Sequence, residues 1–452
     1  MKRITKKKMW LFAVGQLGWS ILSGLIVNWL VYFYQPNKEA IDAGQTIFIP
    51  QGTVVFGTLT IIGLVAAAGR VFDAVTDPLI ASLSDKCTHK DGRRIPFMKY
   101  ISLPFAATTV LIFMVPVNKV SVFNCVWLVI TDLLFYICMT CYCTPYNALC
   151  AELGRTQEDR LNISTFISVT YMIGTGIAYM APTVWGAMEP SLGRVTAMRT
   201  TFTIMAVIAL ICMLIPTFAI REKDYVNSKP SNTNAFESLG KTLKNKNFRT
   251  FVASDISYWI GLTIFQTGLP FYITSLLKLP ESMATLFFLI MSGLSFIFYV
   301  PVNILTKKAG KKTMVLIAFV IFSIGYIFTG LTGEILGFSS IIQGVIMAVL
   351  VSFPMAILGI LPQAMVADIA EAEAIVTGEN REAMFYATRT FGFKIGQSVA
   401  MLLFTGIAAA GGAFGYRLTA FVAAGFCLLG GVILMKYNEK KLNEVLSKEL
   451  LA

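Results

Sequence analysis

Apolar residues fill runs of about 20 positions, the length a helix needs to cross a hydrocarbon core, and polar residues gather between the runs. The runs lie near residues 10–34, 54–83, 99–117, 121–151, 162–184, 199–220, 250–277, 283–305, 313–332, 338–366, 384–410 and 413–436. This pattern predicts an all-α integral membrane protein with twelve transmembrane helices. No stretch shows the short alternating segments of a membrane β-barrel. The basic start, Met1-Lys-Arg-Ile-Thr-Lys-Lys-Lys, runs straight into a full-length span and has no cleavage pattern, so the first helix is expected to stay.

Composition agrees: 56% of the 452 residues are hydrophobic, 14% are charged and the mean hydropathy is +0.70, too apolar for a soluble chain of this size. The net charge of +12 could suggest a nucleic-acid partner, but Lys and Arg collect in alternate loops. One side holds the N-terminus, Lys86 to Lys99, Arg155, Arg160, the 221–249 segment, Lys307 to Lys312, Arg381 and the tail from Lys436. The other holds mainly Lys38, Lys119, Arg194, Arg199, Lys278 and Arg417. The positive-inside rule then puts both termini in the cytoplasm, with the excess charge facing anionic lipid and no nucleic acid, and the expected location is a plasma membrane, bacterial by expectation and not by charge. The eight cysteines lie almost all in spans or on the cytoplasmic side and suggest neither disulfides nor a metal site, since the single histidine, His89, is in another loop from Cys138, Cys141 and Cys143.

Charges inside the second run change the picture most. Gly69-Arg-Val-Phe-Asp-Ala-Val-Thr-Asp-Pro-Leu-Ile80 places Arg70, Asp73 and Asp77 within a span, and helical spacing puts all three on one face. Each costs about 2.5–3.5 kcal/mol near the bilayer centre, so the face must turn inward to partners, water or an ion. It reads as a cation or proton site, or as a structural network with Arg70. In the fourth span Thr140 offers a hydroxyl, and Pro145 frees the carbonyl near Cys141. These are hard oxygen ligands for an alkali cation, though the carboxylates could equally share a proton. Tyr142, Tyr146 and Asn147 either face the same cavity or pack.

The end of that span, Glu152-Leu-Gly-Arg155 with Glu158-Asp-Arg160, reads as a gating ion-pair cluster or as a solvated loop. Tyr258, Trp259, Gln266 and Tyr272 give the seventh span a polar-aromatic face. The tenth ends in an acidic run, Asp368 to Glu373. The eleventh carries Arg389, Thr390, Lys394 and Gln397, and Lys394 lies deep enough to need a counter-charge, for which Asp73 and Asp77 are candidates, or a substrate, or else a path to the surface.

The loop after the second span holds Asp85 and Gly92-Arg93-Arg94, and Gly310-Lys311-Lys312 stands nearly half the chain later. This repeat predicts a duplicated six-helix unit. The eighth span, the counterpart of the second, has no acidic residue, so Asp73 and Asp77 are not demanded by the fold. The acid followed by Gly-Arg-Arg resembles the major facilitator superfamily. That likeness implies two six-helix bundles, 1–220 and 250–436, with a linker at 221–249, where Phe236, Leu239, Leu243 and Phe248 recur at the spacing of an interfacial helix, and a tail at 437–452.

Arg70-Val-Phe-Asp-Ala-Val-Thr-Asp-Pro, Pro145-Tyr-Asn-Ala-Leu, Ala367-Asp-Ile-Ala-Glu and Lys394 together resemble the glycoside–pentoside–hexuronide:cation symporters. The resemblance implies symport of a sugar, glycoside or related solute with Na⁺ or H⁺ by a monomer, without cofactor or enzymatic chemistry. It implies a cation site at Asp73, Asp77 and Thr140. It also implies a substrate site around Ser20, Cys143, Tyr146, Asn147, Trp259 and Lys394, and coupling or gating by Arg70, Asp85, Arg93, Glu152, Arg155, Asp368, Arg389 and Lys394. The family's two sugar-binding aspartates fall on Ser20 and Cys143, its stacking aromatic on Asn147 and its fifth-helix arginine on Phe166, which speaks against a galactoside. Eukaryotic lysolipid carriers that share the aspartate pair suggest an amphiphile as the other cargo.

Overall fold

The computed structural model describes residues 3–154, 156–225, 240, 242–378 and 382–449. Among these every long element is helical: α1 (Lys6–Tyr34), α2 (Ile61–Asp85), α3 (Ile95–Phe113), α4 (Val122–Leu153), α5 (Gln157–Tyr179, continued by Ala181–Leu192), α6 (Arg194–Ala219), α7 (Lys246–Phe271), α8 (Met283–Ala309), α9 (Lys311–Leu331), α10 (Ser340–Thr377), α11 (Glu382–Ala408) and α12 (Gly412–Leu434). Ten spans are long and apolar enough to cross a membrane. The two that fall short in composition are α2, with Arg70, Asp73 and Asp77, and α7, with Arg249 and Asp255.

Several boundaries differ from the sequence reading, and two of these have a clear local cause. The second span begins at Ile61 and not near 54, because Gly52, Phe56 and Gly57 adopt positive φ and Thr60 caps the helix by accepting from the Gly63 amide at 3.1 Å. The tenth runs on to Thr377, ending on left-handed Gly378, so Asp368 and Glu373 belong to the helix. Of the residues expected in an interfacial linker helix, Phe236 and Leu239 lie outside the described residues. Leu243 stands in a turn, and Phe248 is buried in the first turn of α7 against Phe385, ring centroids 4.6 Å apart.

The chain divides into two compact units, Met1–Thr233 and Asn234–Ala452. In the first, α1 packs on α5 and α6, α2 on α4, and α3 on α4 and α6. In the second, α7 packs on α11 and α12, α8 on α10, and α9 on α10 and α12. Adding six to each helix number converts one set of pairings into the other, so the repeat glimpsed in two glycines extends to the packing. Without a hydrophobic drive between helices in lipid, close approach falls to small residues. At Gly18 of α1 a Cβ would stand 2.5 Å from the Ala209 carbonyl oxygen of α6, so only glycine fits.

The repeat is sharpest where the units tie their loops. Gly92 and Gly310 both have positive φ, and each precedes a helix whose first amides are orphaned. Glu222, buried just after α6, accepts from the amides of Arg93 at 2.8 Å, Arg94 at 2.8 Å and Ile95 at 3.0 Å. Glu439, just after α12, accepts from Lys311 at 2.8 Å and Lys312 at 3.2 Å. A carboxylate at a helix N-terminus answers both the orphan donors and the dipole.

In the second unit, Ser254 donates to the Gly430 carbonyl at 2.8 Å, seating α7 on α12. Asp255 accepts a bidentate pair from Arg389 of α11, Nε at 2.8 Å and Nη2 at 3.1 Å, with both side chains buried. Two measurements test these ties. Glu222→Ala is expected to destabilise the chain by about 1–3 kcal/mol, the cost of orphaning buried donors, and to lower its melting temperature in detergent, whereas Lys223→Ala leaves it unchanged. Asp255→Asn alone or Arg389→Met alone should cost about 3–5 kcal/mol, and the combination Asp255→Leu with Arg389→Met should recover much of the loss in a double-mutant melting series.

Candidate cation site

Helices α2 and α4 meet along a ladder in constant register. Thr140 Oγ1 donates to Asp73 Oδ1 at 2.8 Å, and Thr144 Oγ1 donates to Asp77 Oδ1 at 3.3 Å. Each pair is 67 residues apart in the chain, and the two rungs are one turn apart. Parallel helices with a shared four-residue repeat give such a ladder without further adjustment. Thr76 Oγ1 lies 3.3 Å from Thr140 Oγ1 and donates to the carbonyl of Phe72 at 3.0 Å. Asp73 and Thr140 are buried, and Asp77 and Thr144 are half-buried.

Prolines follow both rungs directly, Pro78 after Asp77 and Pro145 after Thr144. A proline lacks the amide that would bond the carbonyl four residues earlier, which releases Ala74 on α2 and Cys141 on α4. The seam thus gathers two carboxylates and three hydroxyls, and each of its helices releases one carbonyl a turn before its proline. That set of hard oxygens suits an alkali cation, and the carboxylates alone suit a proton. The sequence reading named Asp73, Asp77 and Thr140 but missed Thr144. Its signal was the match between the Asp73–Asp77 spacing and the Thr140–Thr144 spacing.

One turn above Asp73 the same register brings Gly69 against Tyr136, where a Cβ on Gly69 would stand 2.4 Å from the ring. Arg70 lays its guanidinium over that ring, 5.4 Å from the centroid, and its Nε is buried without a hydrogen bond. Asp132, a buried acid on α4 absent from the sequence reading, projects into the Gly69 notch, its Oδ2 only 2.2 Å from where a Cβ would be.

The expected substrate residues are dispersed in their roles. Ser20 is buried in the seam between α1 and α5. Its Oγ donates to the Gln16 carbonyl at 2.6 Å and accepts from Gln16 Nε2 at 3.0 Å. Tyr146 is buried too, stacked on Phe12 at 4.4 Å and donating to the Phe12 carbonyl at 3.0 Å. Asn147 is exposed, and Cys143 is half-buried. Phe166 stacks on Trp10, centroids 4.2 Å apart. In the second unit Trp259 stacks on Phe393 at 4.7 Å, next to the Asp255–Arg389 pair, and Lys394 is half-buried.

Among the expected gating residues, Arg93 meets Glu152 at 3.1 Å. Arg94, not singled out from sequence, is the more buried base and bonds both Asp85 and Glu152, the latter at 3.3 Å. Lys311 pairs with Asp368 at the corresponding place in the second unit. Arg155 lies outside the described residues. Arg389 is held by Asp255 as described above. Asp159, at the start of α5, is held by Arg3 at 3.0 Å, and Arg160 Nε donates to the Gly154 carbonyl at 2.7 Å.

Comparison with known proteins places this geometry. The chain is 21% identical over 376 residues to sodium-dependent lysophosphatidylcholine symporter 1 of Xenopus tropicalis, covering 75% of this chain and 70% of that one. It is 26% identical over 208 residues to putative glycoside/cation symporter YagG of Escherichia coli (strain K12), covering 44% of each. The alignments to curated relatives span between 25% and 70% of those proteins' own lengths. The fold is that of the xylose transporter XylE from E. coli, TM-score 0.66 at 14% identity, covering 96% of this chain and all of that one. The family model described as MFS/sugar transport protein matches residues 11–424. The chain belongs to that family and is a multi-pass membrane transporter of the major facilitator fold.

Proposed function

We propose that this chain carries a sugar, glycoside or related small organic solute in symport with Na⁺ or H⁺ by alternating access, with the cation bound between α2 and α4. The Asp73–Thr140 and Asp77–Thr144 rungs carry the reading, because they concentrate hard oxygen ligands inside a hydrocarbon-spanning seam. Asp73, Asp77, Thr140 and Thr144 are the ligands. Arg70 tunes the site's charge, and Asp85, Arg93, Arg94 and Glu152 in the first unit and Lys311 with Asp368 in the second are ties that a gating motion must break and remake. The protein works as a monomer with both termini in the cytoplasm. It needs no cofactor beyond the transported cation, and it acts on solute and lipid surroundings, not on nucleic acid.

Coupling requires only that the cation favour the substrate-competent state; equal binding to both states would move nothing. The family description supports a sugar. The lysophosphatidylcholine symporter among the relatives, together with Ser20 and Cys143 standing where galactoside carriers use aspartates, favours an amphiphile as the second reading.

Counterflow in proteoliposomes, run with a panel of labelled neutral sugars and a lysophospholipid, separates the cargoes. Cation-driven accumulation of whichever solute exchanges is expected to vanish in Asp73→Asn and Asp77→Asn, while both variants retain slower downhill exchange. Accumulation against a gradient in both variants would contradict the site. Thr144→Val should weaken the cation dependence by about 5–150-fold, the range of ordinary coupling energies, and Thr140→Val by at least as much.

A further inference from the structure

Asp132 stands apart from the cation ligands. It lies ten residues into α4, about 15 Å along a helix long and apolar enough to cross a hydrocarbon core. It is fully buried, and neither of its oxygens accepts a hydrogen bond from any described residue. A buried carboxylate lacking both hydrogen bonds and a contact ion pair is an arrangement folded proteins avoid. Something must neutralise it.

The surroundings limit what that is. Asp132, Tyr136, Thr140 and Thr144 follow at four-residue intervals, so one stripe of α4 continues from the cation ladder up to Asp132. Opposite Asp132 is the Gly69 notch, and beside it the Tyr136 ring. An alkali cation would need several further oxygens, and this corner offers an apolar wall in their place. A proton needs none. Among the described residues, the charged and titratable groups that face Asp132 are Arg70 from α2, Tyr136 on its own helix and Tyr34 from α1, with Arg199 of α6 beyond Tyr34. The hydroxyl of Tyr34 is committed to the Ile112 carbonyl of α3. Asp73, three residues along α2 from Arg70, also acts on the Tyr136 hydroxyl.

We propose that Asp132 binds an exchangeable proton, forming an ion site on α4 separate from the Asp73–Asp77 site, and that Arg70 displaces this proton by turning its unbonded Nε toward the carboxylate. The step balances simply. The O–H bond of the carboxylic acid breaks, its electron pair stays on Asp132, the proton leaves to water, and the resulting carboxylate becomes a counter-ion of Arg70. Gly69 is what allows the two helices to share this corner, since any side chain there would fill the space the carboxyl occupies. The inference stands whether or not Asp73 and Asp77 bind the driving cation.

Infrared difference spectroscopy on the purified full chain in lipid reads a protonated carboxyl directly through its C=O stretch. Wild type is expected to lose one desolvated carboxylic-acid band as the buffer is stepped from acid to alkaline. Asp132→Asn should lack that band and Asp73→Asn should keep it. Arg70→Gln should retain it through the alkaline step, because the displacing charge is gone. In Asp132→Glu, the variant least liable to misfold, the band should move and become insensitive to carbon-13 labelling of aspartate. A wild-type band indifferent to pH, a band that survives in Asp132→Asn, or one that still shifts with labelled aspartate in Asp132→Glu overturns the proposal. An Arg70→Gln band that titrates as in wild type overturns the role given to Arg70.

Discussion

Every feature of the first unit's centre follows from one constraint: an ionisable group within a hydrocarbon-spanning helix must be answered from inside the protein. On α2 the constraint falls on Arg70, Asp73 and Asp77. The answer comes from α4, whose hydroxyls at Thr140 and Thr144 stand in register with the two acids and whose Tyr136 ring receives the guanidinium. That register fixes how α2 and α4 lie, which in turn requires glycine at position 69. The same constraint governs the second unit differently. There Asp255 and Arg389 answer one another directly, and what results is a brace between α7 and α11. The closed pair braces its two helices, whereas Asp73 and Asp77 meet the hydroxyls of Thr140 and Thr144.

The duplication explains why the rest of the chain can be so plain. Equivalent helices pair in both units, and equivalent glutamates, Glu222 and Glu439, hold equivalent loop glycines and helix starts. Against that common scaffold, differences carry meaning. Helix α8 occupies the place of α2 with no acid in it, so the fold does not demand the acids of α2.

Much of this was legible in the sequence because lipid imposes simple rules. Run length gave the spans, and charge inside a run marked α2. The start of α2 was misread because apolarity continues through residues 54–60 while backbone conformation does not; Phe56 at positive φ is a turn residue of high hydrophobicity. Thr144 and Asp132 escaped for a different reason. Neither belongs to a motif, and each becomes visible only when two helices are laid side by side in register. A lone acid in the apolar run of α4 was nonetheless as costly as those in α2, and cost alone would have flagged it. Asp255 could have been found in the same way. Substrate residues were the least legible, since Ser20 and Tyr146 are answered by their own packing in this structure and nothing in residue type distinguishes that from a site waiting for cargo.

The α2–α4 ladder as a cation site is the central claim, and direct ion binding tests it without knowledge of the cargo. Calorimetric titration of the purified chain in lipid with Na⁺, repeated across pH with proton uptake recorded, should show saturable cation binding. Na⁺ and protons should compete for the same carboxylates, and the binding should be lost in Asp73→Asn and in Asp77→Asn. Saturable Na⁺ binding, or proton uptake beyond that of Asp132, that persists unchanged in both variants would contradict the account.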